Sequence, residues 1–146
     1  MKGRSKPFDQ DNHDANDPKA REVVKAFWKE AFDITLNDNP DRYGVDLISA
    51  GGVFKVEVEH RAVWKADDFP YAEVNVPERK AKFFVEDDTA YAVVSNDFTR
   101  VGFVHSRRLR GFLVSERLKE SPNKFVYHGE LFFKVPKAIF AWHRCR

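Results

Sequence analysis

Residues 44–60 read GVDLISAGGVFKVEVEH and carry the clearest structural pattern in the chain. Two runs rich in aliphatic and β-branched residues flank the glycine pair at 51–52. Paired glycines reach the positive φ angles that tight turns need. The segment therefore predicts a β-hairpin with strands at 43–49 and 53–61.

The register of this hairpin decides which side chains meet. A two-residue turn at 51–52 places Asp46 opposite Glu57 and Gly44 opposite Glu59. Because side chains alternate along a strand, Glu57 and Glu59 also share one face. Carboxylates about 4.5–5.5 Å apart at Cβ repel each other, so this register predicts a neutralising cation. Mg²⁺ or Mn²⁺ fits, since Mg²⁺ is held by a few carboxylates with water and phosphate oxygens, for which Gly44 leaves room.

An exposed, charged strand face is the alternative interpretation. Lys55 and Arg61 lie on the same face as Glu57 and Glu59, and simple ion pairs would also neutralise these carboxylates. A three-residue turn would shift the register by one and separate Asp46 from Glu57. The acidic pattern alone therefore leaves a metal site and a solvated surface both open.

The remaining segments extend the hairpin into a mixed α/β domain. Asp17-Pro18 supplies an N-cap and a first-turn proline, and the apolar spacing after it predicts a helix at 18–33. Residues 1–16 are polar and predict a flexible tail. The other predicted elements are a strand at 71–76, a helix at 77–86, strands at 90–95 and 101–105, a helix at 107–119 and a hairpin at 124–135. This order predicts one sheet with a helix on each side, in a single domain at 17–146.

Residues 18–105 resemble the PD-(D/E)xK nuclease superfamily, the restriction-endonuclease-like fold that includes Holliday junction resolvases and phage nucleases. The resemblance rests on the first helix, on hairpin segments 44–49 and 54–60, and on the strand, helix and strand that follow. It implies an α/β (α+β mixed) fold with an αβββαβ core. In that fold a central mixed sheet is flanked by helices, and a basic C-terminal extension covers 106–146.

Asp46 and Glu57 match the two acids of the superfamily motif, which implies that both are metal ligands. Glu59 stands where the family usually carries lysine, so this chain has Glu-x-Glu in place of Glu-x-Lys. The resemblance then implies that Glu59 is a general base or a further metal ligand. It also implies that a displaced lysine completes the catalytic set, with Lys80 as the candidate and Lys55 in second place.

Many members of the superfamily place one more metal-binding glutamate on the first helix. Glu30 flanks the apolar stripe of the predicted helix, whereas Glu22 points away from it, and this favours Glu30. A solvated helical glutamate is the alternative interpretation.

Length and composition limit the class of protein. The chain of 146 residues is 42% hydrophobic and 33% charged, which suits one globular domain and excludes a fibrous or disordered chain. Its single cysteine, Cys145, excludes an intrachain disulfide. No apolar run approaches about 18 residues, so we expect an intracellular, cytoplasmic protein without a membrane span or secretory signal.

Charge is divided unevenly along the chain. Residues 1–97 carry 14 Lys and Arg against 20 Asp and Glu, whereas residues 98–146 carry 11 against 3. This division suits a protein that holds a cation and a polyanion, and two ordinary solvated surfaces are the alternative. Trp64 is a further candidate for substrate contact, with loop packing as its alternative. The expected nucleic-acid contacts are Arg100, Arg107, Arg108 and Arg110, with Lys55, Arg61 and Lys82 nearer the hairpin.

Together these features predict a metal-dependent DNA endonuclease that hydrolyses phosphodiester bonds with Mg²⁺ or Mn²⁺ as cofactor. The small size favours structure-selective cutting of the junction-resolvase kind, and RNA stays open as a substrate. The resemblance also implies a homodimer. The alternatives are a catalytically degenerate nucleic-acid-binding module of the same fold and an interaction protein with a charged hairpin.

Overall fold

The computed structural model describes residues 10–65, 67–123 and 126–145, with side chains at 16–65, 67–120 and 130–145. The α-helices in these ranges are α1 (Gln10–Phe32) and α2 (Ser106–Leu109). The 3₁₀ helices are Ala50–Gly52, Glu78–Val85, Arg110–Phe112, Ser115–Arg117 and Lys137–Ile139. The strands are β1 (Leu36–Asp38), β2 (Leu47–Ser49), β3 (Lys55–Arg61), β4 (Glu73–Pro77), β5 (Thr89–Ser95), β6 (Arg100–His105), β7 (Leu118–Asn123), β8 (Val126–Pro136) and β9 (Ala141–Arg144).

The fold is a mixed α/β arrangement built on a six-stranded sheet in the order β1-β2-β3-β5-β6-β9. Its strands pair antiparallel except β3 and β5, which are parallel. Strand β5 is buried along its whole length. Ala90, Ala92 and Val94 pack into the core under α1, while Tyr91 and Val93 pack into a second core on the opposite face.

The second face of the sheet corrects the expectation of a helix on each side. A three-stranded sheet, in the order β4-β8-β7, covers this face together with the 3₁₀ helix Glu78–Val85. The predicted strand at 71–76 is present as β4, but it pairs with β8 rather than with the main sheet. Val74, Val76 and Val135 supply apolar side chains to the core between the two sheets.

Helix α1 begins earlier than predicted. It starts at Gln10, so Asp17 lies inside the helix and forms an ion pair with Arg21 one turn later instead of capping the first turn. Pro18 also lies inside α1, where its missing N–H costs a single helical hydrogen bond. Residues 1–9 of the predicted flexible tail lie outside the described part of the chain.

The hairpin register agrees with the prediction, although its turn differs. Leu47 pairs with Val56 and Ile48 with Lys55. The Ser49 N–H donates to the Phe54 carbonyl at 2.9 Å, and the residues between them form a 3₁₀ turn. Both glycines of this turn have positive φ, 79° at residue 51 and 73° at residue 52, as the sequence required.

The first hairpin strand is shorter than predicted. It starts at Leu47 and pairs with β1, a short strand that the sequence pattern missed. Residues 39–46 form a loop, in which the Gly44 N–H donates to the Asp41 carbonyl at 3.1 Å. Gly44 therefore lies in a turn and does not face Glu59, because β2 has not yet begun there.

The helix predicted at 107–119 is wrong over most of its length. Only Ser106–Leu109 is α-helical, and strand β7 already begins at Leu118. The predicted hairpin at 124–135 is also wrong in its described part, because Val126–Pro136 is a single strand, β8, that pairs with β7 and with β4. Among the described residues, no helix has the length and apolar character needed to cross a membrane.

Gly102 provides a stability test of the main sheet. It pairs with Trp142 across β6 and β9, and a Cβ at this position would lie 2.4 Å from two carbons of the indole ring. We expect Gly102→Ala to lower the free energy of unfolding by about 2 kcal/mol in urea titrations, because the ring must move out of its packed position. Gly111→Ala is the matched control, since a Cβ there meets no atom within 4 Å. Equal stability of both variants would contradict this packing.

Candidate functional site

Asp46 and Glu57 lie together where β2 meets β3. The Asp46 Oδ2 accepts a hydrogen bond from the Val58 N–H at 2.9 Å, and the Glu57 Oε1 accepts one from the Asp46 N–H at 3.2 Å. Each carboxylate is thus fixed by the backbone of the opposite segment. Leu47 pairs with Val56 in the ladder between β2 and β3. The same register, continued by one residue, places Asp46 opposite Glu57, as predicted.

Lys80 comes from the 3₁₀ helix Glu78–Val85 and enters the site from the second layer. Its side chain is buried, and its Nζ lies 3.1 Å from Glu57 Oε2 and 3.4 Å from Glu59 Oε1. Burial opposes the charged form, but the charges of Glu59 and Glu57 outweigh it and hold the pKa of the Lys80 ammonium above its ordinary value. Lys80 is therefore a permanent cation between two carboxylates.

One carboxylate oxygen of Glu59 is held by a chain of hydrogen bonds. Its Oε1 accepts the Tyr91 hydroxyl at 2.6 Å, and the Tyr91 oxygen accepts Arg61 Nη2 at 2.6 Å. Burial would raise the pKa of Glu59, but the charges of Arg61 and Lys80 and the bond from Tyr91 lower it to about 2. Glu59, whose side chain is 24% exposed, is thus a stable anion within a partly buried network and a poor proton acceptor.

The same network removes Arg61 from the expected nucleic-acid contacts. Its side chain is only 14% exposed, and its guanidinium also donates to the Asn75 carbonyl. The alternation of β3 suggested a surface position, but β4 and Tyr91 cover this face of the strand. Arg61 neutralises Glu59 inside the protein.

The Asp46 and Glu57 carboxylates have too little positive charge near them to offset the effect of burial on their pKa values. Burial raises the pKa of Asp46. It also raises the pKa of Glu57 to about 7, with a further upward contribution from Asp46 and an opposing one from Lys80. A second positive charge at this pair would favour the ionised form of both carboxylates.

The residues present fit a divalent cation held by two carboxylates. Asp46 and Glu57 supply hard oxygen donors, and Mg²⁺ commonly uses one or two carboxylates plus water and phosphate oxygens. Glu59 directs its Oε1 to Tyr91 and Lys80, and its predicted role as a further metal ligand stays a prediction. In the part of the chain that the structure describes, no three His, Cys, Asp or Glu side chains are grouped to hold a metal. Any metal here would depend on substrate and water for its remaining ligands.

Glu30 lies away from this site. Glu30 follows Arg21 by nine positions, which places it about 180° around α1 from Arg21. Its charge raises the pKa of Cys145, which lies near the opposite edge of the sheet. Asp17 and Arg21 are the α1 residues whose charges affect the pKa of Asp46. Their effects are smaller than those of burial, of the hydrogen bond from Val58 and of the charge of Lys80. The sequence pattern gave no signal for these two, since Asp17 was interpreted as a helix cap.

A cleft of about 240 Å³ opens beside Asp46. The loop 39–46, Asp38 and Arg21 of α1 line it, with Arg21 and Arg42 as its cations and Asp38, Asp41 and Asp46 as its acids. The open space expected near Gly44 is therefore present, but it adjoins Asp46 rather than Glu59. Arg21 and Arg42 are cleft residues outside the predicted set, because the contact of the loop 39–46 with α1 is not encoded in a local sequence pattern.

Three of the other predicted basic contacts meet at one turn. Lys55 pairs with Glu86, and Arg107 and Arg110 both pair with the adjacent Asp87. Lys82 and Arg108 are exposed, and Arg100 lines a separate cavity. The structure therefore brings part of the predicted set together, but acidic partners neutralise that part.

Comparison with known proteins found no matching family model and no significant match among curated proteins. The interpretation of the site rests on its own geometry.

Proposed function

We propose that this protein is a Mg²⁺- or Mn²⁺-dependent phosphodiesterase that acts on DNA as an endonuclease. The observation that carries the proposal is the pair of Asp46 and Glu57, in which Asp46 lines an open cleft and the buried Glu57 lies behind it with Lys80 fixed beside it. This set joins two hard-cation ligands and a permanent positive charge, and Asp46 connects it to the cleft. Phosphodiester hydrolysis needs these elements.

Asp46 and Glu57 would hold the metal. When bound, the metal polarises the scissile phosphate and lowers the pKa of a coordinated water. Lys80 supplies a fixed positive charge that needs no reorganisation during the reaction. Glu59 acts as a positioning residue: its charge holds Lys80 and Arg61 in place, and its pKa of about 2 argues against the role of general base.

The cleft itself does not favour a polyanion, because Arg21 and Arg42 share its lining with Asp38, Asp41 and Asp46. A polyanionic substrate is supported instead by the basic side chains of residues 98–146, which carry 11 Lys and Arg against 3 Asp and Glu. DNA phosphates would contact such side chains and position the chain without reading its sequence. Structure-selective cutting belongs to this proposal, and the homodimer implied by the resemblance stays a prediction.

A catalytically degenerate nucleic-acid-binding module is the second candidate. Lys80 already neutralises part of the charge of Glu57 and Glu59, and the described residues include no group of three potential metal ligands. Such a module would bind DNA in the cleft and leave it intact.

A plasmid nicking assay separates the two candidates. We expect supercoiled DNA to be nicked with Mg²⁺ or Mn²⁺ and to stay intact in EDTA, and branched, single-stranded and RNA substrates then define the preferred substrate. Binding without nicking in any metal would favour the degenerate module. Neither binding nor nicking would reject both candidates.

A further inference from the structure

Tyr43 is the most exposed of the large apolar side chains in the described part of the chain, at 78%. It lies on the loop 39–46, between two residues that line the cleft beside Asp46. Trp64, the aromatic residue that the sequence offered for substrate contact, is only 1% exposed and packs in the core, as its alternative interpretation required. Tyr43 therefore presents an open aromatic ring at the edge of the cleft.

Arg42 connects this ring to the cleft. It lines the cleft, and its guanidinium carbon lies over the Tyr43 ring, 5.6 Å from the ring centroid. This distance is within the range of cation–π contacts, about 6 Å. Among the described residues no carboxylate forms an ion pair with Arg42, whereas Arg21 pairs with Asp17 and Asp38. The ring and the Arg42 donors therefore offer a ligand two kinds of contact from one loop.

Hydrogen bonds within the loop fix the backbone that carries Tyr43. The Tyr43 N–H donates to Asp41 Oδ1 at 3.0 Å, and the Asp41 N–H donates to Asn39 Oδ1 at 3.0 Å. The Asn39 Nδ2 donates in turn to the Val45 carbonyl at 3.0 Å. Because this backbone is already ordered, a ligand that contacts the ring loses little affinity to ordering of the loop.

The lining of the cleft suits a small, neutral group that forms hydrogen bonds. Arg21 and Arg42 supply donors, and Asp38 and Asp41 supply acceptors. The edge of a nucleobase likewise carries donors and acceptors side by side, whereas the oxygens of a phosphate only accept and would be repelled by the acids. The volume of about 240 Å³ is below that of sites for drug-sized ligands, about 300–1,000 Å³, so the cleft admits one base but not a duplex.

We propose that Tyr43 and Arg42 hold an unpaired nucleobase at the cleft, so that DNA is cut next to an unpaired nucleotide in preference to a continuous duplex. The Tyr43 ring stacks on the face of the base, and Arg42 donates to its polar edge. A base inside a duplex must first leave its stack and its pair, which an unpaired base need not do. This inference rests on the proposed function, because it names the substrate class of the same cleft.

Fluorescence anisotropy in EDTA tests the inference without any cleavage. The probes are three labelled DNA duplexes: one continuous, one with a single extra unpaired thymidine, and one with an abasic nucleotide at that position. We expect the thymidine probe to bind about tenfold more tightly than either other probe, since an aromatic ring adds affinity only where a base is present. Tyr43→Ala should remove this preference, and Tyr43→Phe should keep it because phenylalanine preserves the ring.

Tyr71→Ala is the matched control, because Tyr71 is also an exposed tyrosine, at 56%, and lies outside the lining of the cleft. Equal affinities of Tyr43→Ala and Tyr71→Ala for the thymidine probe would overturn the inference. So would an abasic probe that binds as tightly as the thymidine probe. Metal-dependent nicking without this preference overturns the inference alone, whereas a preference that depends on Tyr43 without nicking in any metal overturns the proposed hydrolysis alone.

Discussion

Asp46→Asn is expected to reduce metal-dependent DNA cleavage by about a thousandfold. A metal ion contributes several kcal/mol to the stabilisation of the transition state, and each 1.36 kcal/mol corresponds to a factor of ten in rate. Asparagine keeps the oxygen that accepts the Val58 N–H but removes the negative charge that would bind the cation. Cleavage rates under single-turnover conditions, over a range of Mn²⁺ concentrations, give the size of the loss.

The fold should survive this change. Burial raises the pKa of Asp46, so a neutral side chain at this position is not expected to lower the free energy of unfolding. Asp33→Asn is the matched control: Asp33 is exposed at the end of α1 and has a φ of 56°, which asparagine tolerates. Cleavage that persists in folded Asp46→Asn, or that falls equally in Asp33→Asn, would contradict the assignment of Asp46 as a metal ligand.

The hairpin could be predicted because its determinants are local. Two glycines with positive φ and a strict alternation of side chains fix the register within 17 residues, 44–60. The placement of Asp46 beside Glu57 follows from that register alone. Lys80 was found by a weaker argument, from the resemblance to a family in which the lysine can move to the next element.

The second layer could not be predicted because its pairing is not local. Strand β4 pairs with β8, so Val74 meets Val135 far along the chain, and no short sequence pattern encodes this contact. Because the sequence does not predict this second layer, it also predicts Arg61 as a surface residue, although Arg61 lies beneath that layer. The charged face of β3 has the sequence of a solvated surface, yet β4 and the 3₁₀ helix Glu78–Val85 cover it.

The burial of this face changes the meaning of its charges. On a surface, Glu59, Lys80 and Arg61 would be loosely paired and nearly neutral for stability. Under the second layer each is needed to compensate the others, because an unpaired charge there loses its hydration. Glu59, the second glutamate of Glu-x-Glu, therefore has a structural role: it balances two cations, Arg61 from β3 and Lys80 from the next layer.

Glu59→Gln is accordingly expected to lower the free energy of unfolding by about 3 kcal/mol at pH 7. The pKa of Glu59 is lowered from an ordinary value of 4.5 to about 2, mainly because Arg61 and Lys80 outweigh the effect of its burial. A depressed carboxyl pKa stabilises the folded protein above the unfolded value, and this stabilisation is lost as the pH falls through the folded value. The difference between wild type and variant should therefore be full above pH 4.5 and narrow towards pH 2.

Urea unfolding of both proteins in EDTA, followed from pH 7 down to the acid limit of reversibility, measures this difference. Glu86→Gln is the control, since Glu86 pairs with Lys55 at the surface and is 61% exposed. Screening by solvent limits the effect of that change to under about 1 kcal/mol. Two results would contradict this role of the charge network: a loss of unfolding free energy in Glu59→Gln no larger than in Glu86→Gln, or a loss that does not change below pH 4.5. Lys80 would then need another group to hold it beside Glu57.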